Sequence, residues 1–246
     1  MERKELFDVS TKFMAQVYDL QKRCQEILRD CYGNQAITLP VDIEKVADEL
    51  GVELVPEDLN YGSEDAIDLN IASLLYKGDD GDAVIHVDIS TENSEDTLKP
   101  YSDLQKYAIA YELGKIIING YINDKKASKM PEDIARRWNM TSTPYSLPRL
   151  YAQWDSFAYE MCAIFLLLPL DLFLEEFLSY IQAAREHPVI MDKWIKHLSD
   201  KAGIPNYQLV NGYQYIKFCA YQYYQEKYKA STADEIEGTD YRELYR

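Results

Sequence analysis

The segment Tyr107-Ala-Ile-Ala-Tyr-Glu-Leu-Gly-Lys-Ile-Ile-Ile118 is the part of the sequence that decides the fold. Most of its side chains are small or aliphatic, and Glu112 and Lys115 stand three residues apart among them. Residues at this spacing are neighbours on one helix face, so the segment predicts a helix with a charged pair on a largely apolar surface. Ser102 or Asp103 can cap the start of this helix.

The central positions of this helix compare with the HExxH pattern of metallopeptidases. In that pattern two histidines four residues apart bind zinc, and the glutamate after the first histidine activates a water molecule. Tyr111 and Lys115 occupy the two histidine positions here, and Glu112 occupies the position of the general base. A protonated lysine has no lone pair to give to a metal. The segment therefore keeps the layout of a zinc helix without its histidine ligands.

The three histidines of the chain all lie outside this helix. His86 falls on a predicted strand, where two interpretations stay open: a zinc site rebuilt around it, or an ordinary packed residue. His187 precedes a proline at a predicted helix break, and His197 falls on a helix with a surface-like pattern.

Composition and charge limit the classes of function. The chain has 246 residues, of which 47% are hydrophobic and 28% charged, as is typical of a soluble protein with a substantial core. Its longest apolar run, at residues 163–169, is too short for a bilayer, and the N-terminus has no signal-peptide pattern. We therefore expect no membrane association and a cytoplasmic location. The net charge of −16 argues against direct nucleic-acid binding and favours basic partners.

The four cysteines, at positions 24, 31, 162 and 219, form no CxxC pair. We expect reduced thiols, most of them buried.

Periodicity and turn residues divide the chain into three parts. Residues 1–36 form an N-terminal helix, residues 37–202 the main domain, and residues 203–246 a tyrosine-rich helix with an acidic tail. Within the main domain three strands are predicted at 52–55, 71–76 and 83–89, and helices at about 103–119, 150–168, 170–185 and 189–202, with another helix ending at Gly51. The acidic stretch 78–82 lacks the spacing of a calcium loop and is interpreted as a hairpin turn.

Tyrosines are unusually frequent, 21 against seven phenylalanines, and they crowd the last helix. Two interpretations stay open: a helix packed on the domain with its phenols at the rim, or a protein-binding face. The residues near one stripe of that helix are Tyr213, Tyr221, Tyr224 and Tyr228.

A second motif follows the first, Trp154-Asp-Ser-Phe-Ala-Tyr-Glu-Met-Cys-Ala-Ile-Phe-Leu-Leu-Leu-Pro169. Together with the helix after Leu39-Pro-Val-Asp-Ile, the small sheet and the Ala-Tyr-Glu-Leu-Gly-Lys helix, it resembles the ImmA/IrrE metallopeptidase family, whose motifs read AHELGH and EANxFAxxLLxP. The resemblance covers residues 37–200. It implies an α+β fold, mainly helical, with a small antiparallel sheet packed on a zincin-like motif helix and a helical C-terminal extension. It also implies a zinc peptidase that cleaves a helix-turn-helix repressor, often encoded by mobile elements or stress-response loci.

The sequence departs from this family at the metal ligands. The family's third ligand is an acidic residue on the second motif helix, where Gln153 and Asp155 are the nearest candidates and only Asp155 can bind a cation. The vestigial site would then consist of Tyr111, Glu112, Lys115 and Asp155. Within it the Lys115 ammonium either replaces the zinc charge, by pairing with Glu112 or Asp155, or forms an exposed pair with Glu112.

These departures favour a catalytically inactive member of the family, a pseudoenzyme without a cofactor. Such a protein would bind a repressor or antitoxin through the vestigial groove, with an extended segment along the sheet edge near residues 83–89. The partner would be a helix-turn-helix regulator, and the gene would belong to a mobile element. The alternative is an active peptidase that holds zinc or another metal with non-standard ligands, in which Glu112 is the catalytic base.

Overall fold

The computed structural model of the protein describes residues 3–59, 73–77, 82–89, 101–119, 154–177, 179–180 and 190–228. A 3₁₀ turn (Leu170–Leu172) and helical residues at 174–177 and 179–180 lie between the fourth and fifth numbered helices. The numbered elements are α1 (Arg3–Tyr32), α2 (Ile43–Glu49), β1 (Val52–Glu57), β2 (Ser73–Lys77), β3 (Ala83–Asp88), α3 (Asp103–Asn119), α4 (Trp154–Leu167), α5 (Ile190–Ala202) and α6 (Asn206–Tyr228). The fold is mainly helical with one small sheet, as predicted.

The end of α1 and both ends of α2 carry residues that favour helix termination or capping. Gly33 closes α1 at a φ of 55° and donates its N–H to the Arg29 carbonyl at 2.7 Å. Asp42 caps α2, because its carboxylate accepts the Lys45 N–H at 3.1 Å. Gly51 follows α2 at a φ of 69°, in the left-handed region that glycine enters without steric cost.

A capping box sets the start of α3. The Ser102 N–H donates to the Gln105 side-chain oxygen at 2.6 Å, and the Gln105 N–H donates to the Ser102 hydroxyl at 3.4 Å. The Gln105 amide also donates to the Asp88 carbonyl at 2.7 Å, which ties the start of α3 to the end of β3. The local sequence thus positions the motif helix against the sheet.

The sheet is mixed, so the expectation of an antiparallel sheet is wrong in part. β2 and β3 pair antiparallel, as the predicted hairpin requires, but β1 pairs parallel with β3 in the order β1-β3-β2. Successive strands do reverse direction, yet β3 inserts between the other two and therefore lies beside a strand of its own direction. Because β3 is the central strand, its apolar face is covered, and Ile85 and Val87 are both fully buried.

α4 is the centre of the helical core. Residues 161–170 are all buried, so this helix is enclosed on every side over its second half. It packs against α3, α1 and α6. The closest approach is at Gly114 of α3, where an added Cβ would stand 3.0 Å from the Tyr159 carbonyl oxygen and 3.1 Å from the Cys162 Cβ. A larger residue at this position would therefore force α3 and α4 slightly apart.

The last helix packs its tyrosines against the core. Tyr213, Tyr215, Tyr223 and Tyr224 are half-buried and contact the apolar cluster, which agrees with the interpretation of a packed helix. Among the described helices, none combines the length and the apolar character needed to cross a membrane. The division of the chain into three parts stays a prediction, and the acidic stretch 78–82 falls mostly outside the described residues.

Candidate functional site

Glu112 and Lys115 form a buried ion pair on α3. The Lys115 ammonium donates to both carboxylate oxygens of Glu112, at 2.7 and 2.5 Å. Glu112 is 1% exposed and Lys115 5% exposed, so the pair is shut off from solvent. The interpretation of an exposed surface pair is therefore wrong, and the expectation that the apolar neighbours bury the pair is confirmed.

Burial dominates the electrostatics of Glu112. It raises the pKa of the Glu112 carboxyl above its ordinary value, and the Lys115 ammonium offsets part of that rise. A general base has to reach a water molecule with a free carboxylate oxygen. Both oxygens of Glu112 are instead occupied by one ammonium in a closed environment, so this arrangement does not prepare Glu112 for that task.

Tyr111 completes the group on the same face of α3. The Lys115 ammonium lies 5.1 Å from the centroid of the Tyr111 ring, within the range of a cation–π contact. The Tyr111 ring also meets the ring of Tyr159 on α4 edge to face, with centroids 5.8 Å apart. The structure thus brings Tyr111, Glu112 and Lys115 together, as the sequence predicted, and sets them against α4.

These three side chains do not fit a zinc ion. The lysine side chain donates to both oxygens of the one carboxylate among them, which leaves a single phenol as a possible ligand. Asp155 lies in the first turn of α4, but its side chain is not described, and Gln153 lies outside the described residues. A contact between Lys115 and Asp155 stays a prediction.

His86 lies on the sheet and has a carboxylate partner there. It alternates with Ile85 and Val87, which enter the core, so its ring points to the opposite face of β3. Its Nδ1 is 2.5 Å from a carboxylate oxygen of Glu57 on β1. In the parts of the chain that the structure describes, no group of three or more histidine, cysteine, aspartate or glutamate side chains is placed to hold a metal ion.

The other two histidines lie away from this group. His197 on α5 is exposed and its Nε2 lies 2.8 Å from a carboxylate oxygen of Glu176, which also accepts from Lys201 at 2.8 Å. These contacts, led by the hydrogen bond from Lys201, hold the pKa of Glu176 below its ordinary value. His187 lies outside the described residues.

Glu160 on α4 is a further titratable residue, separate from the positions of the vestigial site. Burial alone raises the pKa of its carboxyl to about 7. It directly precedes the fully buried part of α4, between Tyr159 and Met161. A single acidic residue inside the apolar run 157–168 was the available signal in the sequence.

Comparison with known proteins does not identify a family. No protein-family model matches the chain, and no curated protein matches it. The resemblance to the ImmA/IrrE family therefore rests on the two motifs and the order of the elements.

Proposed function

We propose that this protein is a catalytically inactive relative of ImmA/IrrE-type peptidases that binds a protein partner. The observation that carries the proposal is the buried pair of Glu112 and Lys115. It stands at the positions where the family has its general base and its second zinc-binding histidine. A lysine there supplies a positive charge inside the site without the ability to activate water.

The lysine substitutes for a metal in a structural sense. A zinc ion in this family would neutralise the glutamate and tie the two motif helices together. The Lys115 ammonium neutralises Glu112 directly, and through Tyr111 and Tyr159 the same cluster contacts α4. The packing of α3 on α4 would thus persist after loss of the metal. A protein that has lost catalysis needs this packing if it is to keep a binding surface.

The partner that fits is a basic protein of the repressor or antitoxin type. The net charge of −16 attracts basic surfaces, and a helix-turn-helix regulator carries one where it contacts DNA. The expected docking edge near residues 83–89 is wrong, because β3 is paired on both sides. Among the residues that the structure describes, no strand pairs with the outer edge of β2, and this edge could accept an added strand. β2 packs against α3, whereas β1 packs against α2 and carries Pro56.

Metal analysis tests the inactive state. Purified without chelator, the protein should hold well under one zinc ion per chain, and EDTA should leave its melting temperature unchanged because no metal affinity is coupled to folding. Stoichiometric zinc that is lost together with stability on chelation would contradict the proposal.

Binding is tested with the helix-turn-helix regulator encoded nearest to the gene. Glu112→Gln leaves the buried Lys115 without its partner, so its folding is first checked by circular dichroism. Folded Glu112→Gln and wild type should then bind the purified regulator with similar affinity and leave it intact, because the carboxylate performs no catalysis. Lys77→Pro at the end of β2 should weaken binding, with Glu53→Pro on β1 as the matched control, provided that circular dichroism shows each variant folded. If the wild type degrades the regulator and Glu112→Gln traps it, the protein is an active peptidase.

A further inference from the structure

Two thiols meet in the core between the N-terminal helix and the central helix. The Sγ atoms of Cys24 on α1 and Cys162 on α4 lie 3.3 Å apart, across 138 residues of sequence. The Cys24 thiol is also 3.9 Å from the Cys162 carbonyl oxygen. Both residues are fully buried. The contact therefore joins two elements that are distant in the chain and directly packed in the fold.

The position of this contact matters for both helices. α1 contacts the remainder of the described structure mainly through α4 and α6. The same residue of α4 also faces α3, because the Cys162 Cβ lies 3.1 Å from the place of a Cβ on Gly114. The thiol pair thus lies where α1 reaches the helix that also supports α3.

We propose that Cys24 and Cys162 form a reversible disulfide that locks α1 onto α4 under oxidising conditions. The two sulfur atoms have to close from 3.3 Å to about 2.05 Å, a shift within the reach of side-chain rotation. Of the other two cysteines, Cys31 lies at the end of α1 and Cys219 lies on α6.

The reaction is a two-electron oxidation by a peroxide. One thiolate attacks hydrogen peroxide, the O–O bond breaks, and a sulfenic acid and one water form. The second thiol attacks the sulfenic sulfur, the S–S bond forms, and the hydroxyl leaves as a second water. Two thiols and one peroxide thus give one disulfide and two waters. A thiol reductant reverses the change.

Access to the pair is controlled by motion of α1. Burial raises the pKa of the Cys24 thiol well above its ordinary value, so the reactive thiolate is scarce while the helices are packed. Oxidation then requires partial opening of the α1–α4 interface, followed by reclosure that brings the sulfurs together. Once formed, the disulfide prevents further opening of the α1–α4 interface.

The test is oxidation of the full-length protein with hydrogen peroxide in urea below the unfolding transition. Peptide mapping should show one cross-link, between Cys24 and Cys162, and two of the four thiols should be lost. Cys31→Ala should form the same cross-link, whereas Cys24→Ala and Cys162→Ala should form none. The oxidised wild type should melt roughly 5 °C or more above the reduced protein, and dithiothreitol should remove that difference.

Oxidation of the fully unfolded chain provides the reference. There the short loop between Cys24 and Cys31 closes most readily, so that pair should dominate. A cross-link between Cys24 and Cys31 or Cys219 in the folded protein would overturn the proposal, as would oxidation to sulfinic or sulfonic acid without a cross-link. Full retention of thiols, or a cross-link that leaves the melting temperature unchanged, would also overturn it.

Discussion

A lysine and a glutamate enclosed among aliphatic side chains define the chemistry of this site. Removing two charges from water costs several kcal/mol per ion, and only mutual attraction in good geometry returns that cost. Lys115 meets this condition, because it donates to both oxygens of Glu112 and lies beside the Tyr111 ring. The stability of the region therefore depends on both charges being present together.

Substitution of one member of the pair should be more harmful than substitution of both. Lys115→Met leaves the Glu112 carboxylate buried without a counter-charge and should lower the free energy of unfolding by on the order of 3 kcal/mol. The double variant Lys115→Met with Glu112→Leu should recover most of that loss. Urea unfolding of these variants, with exposed Lys196→Met as the control, measures both effects. Equal, negligible losses for Lys115→Met and Lys196→Met would contradict the buried pair.

Glu160 should make stability depend on pH. Its folded-state pKa of about 7 is raised above the ordinary value of 4.5, so the folded protein binds its proton more tightly than the unfolded chain. The free energy of unfolding should thus fall as pH rises from about 4.5 to 7, by roughly 2–3 kcal/mol, and should not change further above that range.

Glu160→Gln isolates this contribution. A neutral amide should stabilise the protein by roughly 2–3 kcal/mol at pH 8 and by almost nothing near pH 4.5, because the wild-type carboxyl is already protonated there. The exposed helical substitution Glu26→Gln is the control. Identical pH profiles of urea unfolding for wild type and Glu160→Gln would exclude a buried titrating carboxyl at this position.

The surroundings of some of these residues could be predicted from the sequence, and those of others could not. Burial of Glu112 with Lys115 was predictable, because the aliphatic residues around them leave a helix little polar surface to turn outward. The state of Glu160 was not predictable in the same way. Whether one acidic residue in an apolar run reaches solvent depends on which neighbouring helices cover it, and those contacts are distant in sequence.

Among the secondary-structure elements, α3 and α4 pack closely because Gly114 has no side chain. Gly114 lets the two helices approach until backbone atoms of α4 stand 3.0 Å from the place of a Cβ. At Gly212 on α6 the situation differs, because an added Cβ would stand 2.6 Å from the terminal Cδ1 of Ile164. A terminal methyl group can move aside, whereas a backbone carbonyl cannot.

The two glycines should therefore respond differently to alanine. Gly114→Ala should destabilise the protein by about 1–2 kcal/mol, since overpacking costs more than the helix propensity of alanine returns. Gly212→Ala should change the free energy of unfolding by less than about 1 kcal/mol. Thermal and urea unfolding of both variants measure the difference. If Gly212→Ala were the more harmful change, the close backbone approach at Gly114 would not be the limiting contact.

Elements differed in how well the sequence predicted them. Helix α3 has a long apolar pattern and a local start signal at Ser102, so its predicted bounds of about 103–119 agree with those observed. The partner of β1 was not predictable, because strand pairing depends on contacts between distant segments and not on the residues of one strand. The hairpin of β2 and β3 was predictable, since a short connection leaves the antiparallel arrangement as the simple one.

At the scale of the whole molecule, the charge of −16 should govern encounters more than final affinity. Attraction between an acidic protein and a basic partner accelerates association, and salt screens it over a Debye length of roughly 10 Å or less above 0.1 M. For the helix-turn-helix regulator, the association rate constant should fall roughly tenfold or more from low to high salt.

Stopped-flow measurement across a salt series checks this expectation, and a series in sucrose controls for viscosity. The dissociation rate constant should change much less than the association rate constant. Association that does not depend on salt would show that the acidic surface takes no part in partner capture.

The position of α4 also has a consequence for biosynthesis. α1 leaves the ribosome before α4, because Cys162, the contact of Cys24, follows 138 residues later. At translation rates of about 5–20 residues per second, the apolar face of α1 waits on the order of ten seconds for its partner. During that interval the nascent chain exposes a long amphipathic helix to chaperones and to other nascent chains. α1 can therefore pack on α4 only after most of the described chain has been synthesised.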